Sequence, residues 1–274
     1  RAAEAVTPRT KAVMPVHFAG LPVARAALAE FASAYGLRVV EDAAHSHPVD
    51  SEGMPVGLGA SDAVVFSFYA TKTMTSGEGG IVVSADPDLV TRMRTMRLHG
   101  INRDVFNRYT STAPSWHYEV VAPGFKYNLT DVAASMARVQ LTRSVAMRER
   151  RSAIAAHYDG ALAGLPVRLP SRPVHPGTHH AWHLYVLRLT DDAPMGRDEF
   201  IQRMSDSGVG TSVHFIPLHH HPYWRDLRGA DAPTLPVADA QFQRAVSIPI
   251  FSSMSDAQVQ RVGETVRAVL EGRS

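Results

Sequence analysis

The chain has 274 residues, of which 45% are hydrophobic, and a formal net charge of +2. It is long enough to bury a full core in one large or two modest domains. The net positive charge is small, and the basic residues form no run with interleaved aromatic residues. Both observations argue against nucleic-acid binding. Cysteine is absent, which excludes disulfides, thiolate metal sites and cysteine nucleophiles. No apolar stretch approaches the roughly 18 residues of a membrane span and no signal peptide is visible, so a cytoplasmic protein is the default expectation.

Strands and helices alternate in the first half of the chain. Apolar runs predict strands over 12–16, 37–41, 64–68 and 81–83. Helical spacing predicts a helix over 23–35, with Gly36 as its C-terminal stop. Asp86-Pro87 opens a second predicted helix, through about Arg97. The first strand, helix and second strand form a βαβ unit, which favours a parallel sheet with right-handed crossovers.

The second half begins with a long predicted helix, from Asp131 to about Leu165, which links two domains. Beyond it the pattern predicts strands over 183–189 and 211–214 and helices over 197–207 and 255–270. Strands interleaved with helices indicate a small α/β domain.

Lys72 lies between the two predicted strands 64–68 and 81–83. The chain has only three lysines, the others being Lys11 and Lys126, among 28 lysines and arginines. Unlike arginine, lysine can lose its proton and attack a carbonyl carbon to form a Schiff base. Spacing alone leaves open the alternative of a surface lysine on a loop between strands.

A carboxylate follows the predicted strand 37–41. Asp42 stands at its carboxyl end, where α/β sheets bind ligands, and His45 comes one turn later. Pyridoxal phosphate (PLP) requires a carboxylate near its Schiff-base lysine, because the acid keeps the pyridine nitrogen protonated and the ring can then accept electrons. Asp42 and Lys72 together indicate a PLP site.

With these residues the sequence resembles the DegT/StrS family of PLP-dependent sugar aminotransferases. Segments in the family's order and at about its spacing are 15–20, 40–45, 66–72, 77–80, 98–100, 179–183 and 214–218. Together they are specific, whereas any one alone is weak. The resemblance extends from about Val6 to the C-terminus.

The resemblance implies a PLP-dependent transferase fold of type I, like aspartate aminotransferase. A large domain with a mostly parallel sheet would cover residues 1–152, and a smaller C-terminal α/β domain would cover 153–274. It also implies a homodimer with the cofactor site near the subunit interface. Against the family, the chain begins partway through the large domain, so a further phosphate-binding turn and a stacking aromatic residue have no match here.

The resemblance also implies the roles of four residues. Lys72 would be the Schiff-base and catalytic lysine, and Asp42 the partner of the pyridine nitrogen. His45 would neighbour the hydroxyl face of the ring, and Ser67 would bind the phosphate.

One segment departs from the family pattern. Much of the family has Asn-Tyr-Arg where this chain has Lys126-Tyr127-Asn128. The family's asparagine reaches across the dimer to the neighbour's phosphate, and Lys126 stands in its place. A cation there can still bind phosphate, so Lys126 and Asn128 are kept as candidate cofactor-binding residues. Lys-Tyr-Asn resembles the subgroup that aminates UDP-4-keto-arabinose.

The substrate candidates come from the same comparison. The long stretch 101–123 has no clear period, and loops of this length in compact domains are usually functional or mobile. In the family it borders the substrate site, so Trp116 is a candidate sugar or base contact. Tyr127 and His214 are the other substrate candidates.

The implied reaction moves an amino group from glutamate to a keto group of a nucleotide-linked sugar. One alternative is a PLP-dependent sugar dehydratase, but those relatives replace the lysine with histidine, and Lys72 argues against it. Another alternative is a truncated, non-catalytic chain that serves as a partner or regulatory subunit.

Three consecutive histidines, 219–221, suggest a metal site only at first sight. Consecutive loop residues point in different directions, and no carboxylate stands at the ligand spacing seen in zinc enzymes. The sequence therefore predicts no metal.

Overall fold

The computed structural model describes residues 1–102, 118–229 and 234–272. The chain divides into two compact units, the first made of Arg1–His17 and Pro22–Ser144, the second of Phe18–Leu21 and Val145–Ser274. The assignment of a cofactor domain to 1–152 and a small domain to 153–274 stays a prediction.

A four-stranded sheet forms the centre of the first unit. In chain order, the strands of this unit are β1 (Ala12–Val13), β2 (Arg38–Asp42), β3 (Asp50–Ser51), β4 (Met54–Pro55), β5 (Ala63–Ser67) and β6 (Gly80–Val83). The sheet has the order β1-β2-β5-β6; its first two pairs are parallel and β5–β6 is antiparallel. Strands β3 and β4 pair separately as a hairpin that the sequence pattern did not predict.

Flanking residues fix the end of one helix and the start of another in the first unit. Helix α1 (Arg25–Tyr35) ends at Gly36, whose φ of 61° is the left-handed conformation that glycine adopts without a Cβ penalty. Helix α2 (Pro87–Met96) begins after Asp86, whose carboxylate accepts hydrogen bonds from two backbone N–H groups of the first turn. Helix α1 and strand β2 form the predicted βαβ unit with β1.

Side-chain alternation along β5 gives the sheet two different faces. Val64 and Phe66 are 2% and 7% exposed and belong to a small apolar core. Val65 points to the opposite face and is 36% exposed, and Ser67 shares that face because it is two residues further on. The central sheet is therefore closed on one face and partly open on the other.

Helix α3 (Asp131–Ala161) is the long helix that the sequence predicted. The hydroxyl of Thr130 accepts a hydrogen bond from the N–H of Ala133 and caps its start. Its first half belongs to the first unit and its second half to the second unit. Near its start, Val132, Met136 and Val139 are 73%, 47% and 59% exposed.

The second unit has an antiparallel sheet of three strands with helices around it. Its elements are β7 (Val167–Arg168), β8 (Tyr185–Leu189), α4 (Arg197–Asp206), α5 (Pro222–Arg228), α6 (Pro236–Arg244), β9 (Ala245–Ile248) and α7 (Asp256–Glu271). Strand β8 lies between the other two. The predicted strand over 211–214 is reduced to one bridge between Ser212 and Ser247.

The core of the second unit contains one buried arginine. Arg151 on α3 is 4% exposed, and its Nη1 donates to the carbonyl oxygens of Trp182 and Ile250, each at 2.9 Å. Burial lowers the pKa of Arg151 to about 10. Arg151 therefore fixes two loops of the unit to α3.

No helix within the described ranges combines the length and the apolar character needed to cross a membrane.

Candidate active site

Asp42 ends strand β2 at the edge where the parallel strands of the first unit terminate. Its backbone N–H donates to Pro15 O at 2.9 Å, and its own carbonyl accepts from His17 N–H at 3.0 Å. One carboxylate oxygen accepts from the N–H of Ala44 at 3.0 Å, which fixes the side chain over the following turn. The strand end thus holds a carboxylate in a defined position.

Lys72 lies in the turn that follows strand β5 and is partly buried. Its backbone N–H donates to Tyr69 O at 3.0 Å, which closes the turn. Burial lowers the pKa of Lys72, while the negative charge of Asp42 acts in the opposite direction. The two residues that the sequence paired therefore interact electrostatically in the fold.

Ser67 shares a sheet face with Asp42. Asp42 is paired with Val65 in the parallel register, so Ser67 lies two residues further along β5 on the same, partly open face. The Ser67 hydroxyl accepts from the N–H of Tyr69 at 3.3 Å, and this bond does not use its own proton. His45 lies in the turn directly after β2 and is partly buried.

A buried histidine supports the end of β2, and sequence reasoning did not assign it a role. His17 is fully buried, and its Nε2 lies 2.7 Å from Glu41 Oε2. Its Nδ1 accepts from the N–H of Val23 at 3.1 Å, so the Nε2 carries the proton and donates to Glu41. The other carboxylate oxygen of Glu41 accepts from the hydroxyl of Ser61.

The pKa of Glu41 reflects this environment. Burial alone would raise it, but the hydrogen bonds from His17 and Ser61 outweigh burial, and the pKa is lowered. The available signal was a charged residue inside an apolar strand, directly before Asp42, together with a histidine in the matched segment 15–20.

Lys126, Tyr127 and Asn128 form a short exposed segment ahead of α3. Lys126 Nζ donates to Asn128 Oδ1, so the two candidate phosphate ligands contact each other. The N–H of Tyr127 donates to Arg97 O at 2.8 Å, and its ring stacks on Phe125 with centroids 4.9 Å apart. Tyr127 itself is 72% exposed.

A cavity of about 540 Å³ joins this segment to the glycine-rich turn after Lys72. Its lining includes Gly79, Gly80, Tyr127 and Asn128. A Cβ on Gly80 would lie 2.6 Å from the backbone oxygen of Phe66, so the close pairing of β6 with β5 requires glycine there. The fold thus brings together two segments that are nearly fifty residues apart in sequence.

The remaining substrate candidates are not placed together by the described structure. Trp116 lies outside the described residues, as does most of the loop to which it belongs. His214 belongs to the second unit, where its Nδ1 lies 2.8 Å from the hydroxyl oxygen of Ser247.

The donor set of the first unit fits PLP. It offers a primary amine whose pKa is lowered by burial, a carboxylate that interacts with this amine, and a hydroxyl at the neighbouring strand end. These are the groups needed for the carbonyl carbon, the pyridine nitrogen and the phosphate of the cofactor. A lysine and a carboxylate so placed on a largely parallel sheet fit a PLP-dependent transferase of fold type I.

The chain belongs to the DegT/DnrJ/EryC1/StrS aminotransferase family, whose model matches residues 1–267. It is 42% identical over 270 residues to the spore coat polysaccharide biosynthesis protein SpsC of Bacillus subtilis. The match covers 98% of this chain and 69% of SpsC. The chain therefore spans about two thirds of the length of this relative.

Solved structures agree with the family. The PMP form of Spr1654 from Streptococcus pneumoniae superposes with a TM-score of 0.88 and 28% identity, covering 100% of this chain and 72% of that one. The sugar aminotransferase CalS13 from Micromonospora echinospora gives a TM-score of 0.81 and 29% identity, covering 97% and 69%. Spr1654 is also known in a PLP form.

These findings confirm three expectations from the sequence. The chain has the type I fold, its cofactor is pyridoxal phosphate, and its family and structural relatives support a sugar aminotransferase. The resemblance to the UDP-4-keto-arabinose subgroup stays a prediction.

Proposed function

We propose that this chain transfers an amino group from glutamate to a keto group of a nucleotide-linked sugar. The observation that carries the proposal is that Lys72, in the turn after β5, is close enough to the charge of Asp42, at the end of the adjacent parallel strand β2, for the two to interact. Membership of the aminotransferase family supports the reaction type. Glutamate as the amino donor and a nucleotide-linked sugar as the acceptor are our own additions.

Four residues would hold the cofactor. Lys72 would bind it covalently through Nζ, Asp42 would face the pyridine nitrogen, and Ser67 would donate its hydroxyl proton to the phosphate. His45, in the turn after Asp42, would lie against the ring. When bound, PLP supplies an electron sink for the substrate carbon that gains or loses the amino group.

The burial of Lys72 suits it to proton transfer. Because burial lowers its pKa, a larger fraction of the amine is neutral near pH 7 than for an exposed lysine. A neutral Nζ can accept a proton from the substrate carbon and return it elsewhere. The charge of Asp42 limits this lowering, so Nζ keeps the ability both to accept and to donate.

The segment Lys126-Tyr127-Asn128 would complete the site. Lys126 already donates to Asn128, which leaves the ammonium group with further protons for a phosphate. The exposed ring of Tyr127, stacked on Phe125, offers a flat surface for a sugar or a base. Trp116 and His214 are the further proposed substrate contacts.

We further propose that two copies of the chain form a dimer. Val132, Met136 and Val139 are spaced to lie on one face of α3, and each is at least 47% exposed. An apolar stripe of this kind on a helix is typical of a surface that is covered in the assembled protein. Lys126 and Asn128, which directly precede α3, would then lie close to the interface with the second copy.

The proposed chemistry is tested by Lys72→Arg and Lys72→Ala in the native gene product. Arginine keeps the charge but stays protonated and forms no Schiff base, so both variants should lose the visible absorption of lysine-bound PLP and all amino transfer. The assay follows transfer from glutamate to UDP- or dTDP-linked 4-keto sugars, and glutamate should bleach the wild-type band.

Lys11→Arg is the matched control, because it is the same substitution at an exposed lysine elsewhere in the first unit. It should keep both the absorption and the activity. Retention of both by Lys72→Arg would remove Lys72 from the mechanism. A wild-type band that glutamate does not bleach would instead refute glutamate as the donor.

A further inference from the structure

Two histidines and an aspartate, none of them assigned to the cofactor, meet in the second unit. His219 and His220 lie in a short 3-10 turn, Leu218–His220, and Asp239 lies on helix α6. The Nε2 atoms of both histidines are 2.7 Å from the same carboxylate oxygen, Asp239 Oδ1. Their side chains are 19%, 37% and 37% exposed, so the cluster is half-buried and open to solvent.

The fold brings a carboxylate to the histidines, which have none at ligand spacing along the sequence. The three histidines 219–221 predicted no metal because no acidic residue stood at ligand spacing, yet Asp239 is brought in from twenty residues away. The rings of His219 and His220 are nearly perpendicular, at 82°, with centroids 4.5 Å apart. Adjacent residues therefore direct their Nε2 atoms to one point.

The packing around the cluster restricts the rings. The edge of His220 packs against Phe242, with centroids 5.3 Å apart, one helical turn beyond Asp239 on α6. All three possible ligand atoms lie within 4.8 Å of one another. The arrangement is thus partly formed before any ligand arrives.

We propose that His219, His220 and Asp239 bind a divalent transition-metal ion, best matched by Zn²⁺. Imidazole nitrogen and carboxylate oxygen are ligands that zinc accepts at about 2.0–2.2 Å, in a tetrahedron with one position left for water. Mg²⁺ and Ca²⁺ prefer sites made of oxygen atoms, and this cluster offers two nitrogens and one carboxylate. The bound ion would connect the 3-10 turn to helix α6.

Two of the three ligand-to-ligand distances require only a small adjustment. In a tetrahedral zinc site the ligand atoms are roughly 3.3 Å apart, as the bond lengths imply, whereas the hydrogen-bonded nitrogen and oxygen atoms are now 2.7 Å apart. The half-exposed side chains can open by this amount. Each imidazole must also present a bare Nε2, so the proton that now bridges to Asp239 must shift to Nδ1 or leave to solvent. Binding should be weaker at low pH, because protonated imidazoles cannot bind the ion.

Calorimetric titration of the PLP-loaded chain, free of any histidine tag, with Zn²⁺ tests the site. The wild type should bind one Zn²⁺ per chain, and more weakly as the pH is lowered, because a protonated imidazole cannot be a ligand. Asp239→Asn and His220→Gln should each weaken binding by about tenfold or more, since each removes a ligand.

His221→Gln is the matched control, because it removes the neighbouring histidine but no ligand of the cluster. It should bind Zn²⁺ like the wild type. Co²⁺ provides a second readout, since a tetrahedral nitrogen and oxygen site gives visible d–d bands, which Asp239→Asn should lose while its circular dichroism stays native.

Equal Zn²⁺ affinity of Asp239→Asn and the wild type, or no binding to the wild type at micromolar Zn²⁺, would overturn the proposal. The histidines and Asp239 would then form only a hydrogen-bonded cluster. Neither result depends on amino transfer, so the metal site and the proposed reaction can fail separately.

Discussion

The imidazole Nε2 of His17 lies 2.7 Å from Oε2 of Glu41, the residue directly before Asp42 in strand β2. The backbone N–H of the same histidine donates to Asp42 O at 3.0 Å. His17 is therefore connected to two successive residues at the strand end. Because it is fully buried, these contacts fix the position from which the Asp42 carboxylate projects.

Replacing Glu41 by alanine tests the importance of this support. The change leaves the Nε2 proton of buried His17 and the hydroxyl of Ser61 without their acceptor. We expect the free energy of unfolding to fall by about 2–3 kcal/mol, as for buried polar groups that lose their partners. Urea denaturation measures it, and Glu30→Ala, on the exposed face of α1, should change little. Equal losses in the two variants would contradict the assigned role.

Asp42→Asn should lower turnover much more than it lowers PLP content. An uncharged partner would not hold the pyridinium proton, so the cofactor becomes a poor electron sink while its other contacts remain. We expect kcat to fall by about 100-fold or more, which is within the range seen when a side chain that positions a catalytic proton is removed. Cofactor content by absorbance and steady-state rates measure the two effects. Asp88→Asn, on exposed α2, is the control, and unchanged turnover in Asp42→Asn would remove Asp42 from the mechanism.

The free energy of unfolding should depend on pH because of His180. Burial, with a smaller effect from the charge of Arg172, lowers its pKa to about 3 from an ordinary 6.5. Its Nδ1 accepts from the N–H of Trp182 at 2.9 Å, which requires that nitrogen to be unprotonated. Below pH 6.5 the unfolded chain binds a proton that the folded chain does not, so stability falls as pH falls.

The size of this effect can be isolated with His180→Asn. Between pH 7 and pH 5 the wild type should lose about 2 kcal/mol more of its unfolding free energy than the variant. Denaturant titrations at the two pH values provide the measurement. His175→Asn, at an exposed position, should keep the wild-type dependence, and a wild-type dependence in His180→Asn would show that another group is responsible.

The proposed dimer is tested on helix α3. Val139→Glu places a charge in the exposed apolar stripe, so it should shift the chain from dimer to monomer at micromolar concentration. Light scattering measures the mass, and Arg138→Glu introduces the same residue at the adjacent, exposed position outside the stripe. A wild-type monomer that retains PLP would refute the dimer.

Elements with strong local signals were predicted correctly from the sequence. Helix α1 was recognised from helical spacing and from Gly36, and it ends there because glycine alone adopts the left-handed conformation at low cost. Helix α2 was recognised from Asp86 and the following proline, which satisfy the first backbone groups of a helix. These signals act over a few residues and need no tertiary contact.

The sequence by itself determined the family and the order of the βαβ elements, and it singled out Lys72 and Asp42 as the proposed lysine and carboxylate of the cofactor site. It did so because the chemistry of Lys72 and Asp42 is limited to few residue types. Tertiary structure alone decided which distant groups meet: Glu41 with buried His17, the glycine turn with Tyr127 and Asn128, and Asp239 with two histidines. Such contacts depend on how separate elements pack, and no periodicity or spacing along the chain encodes them.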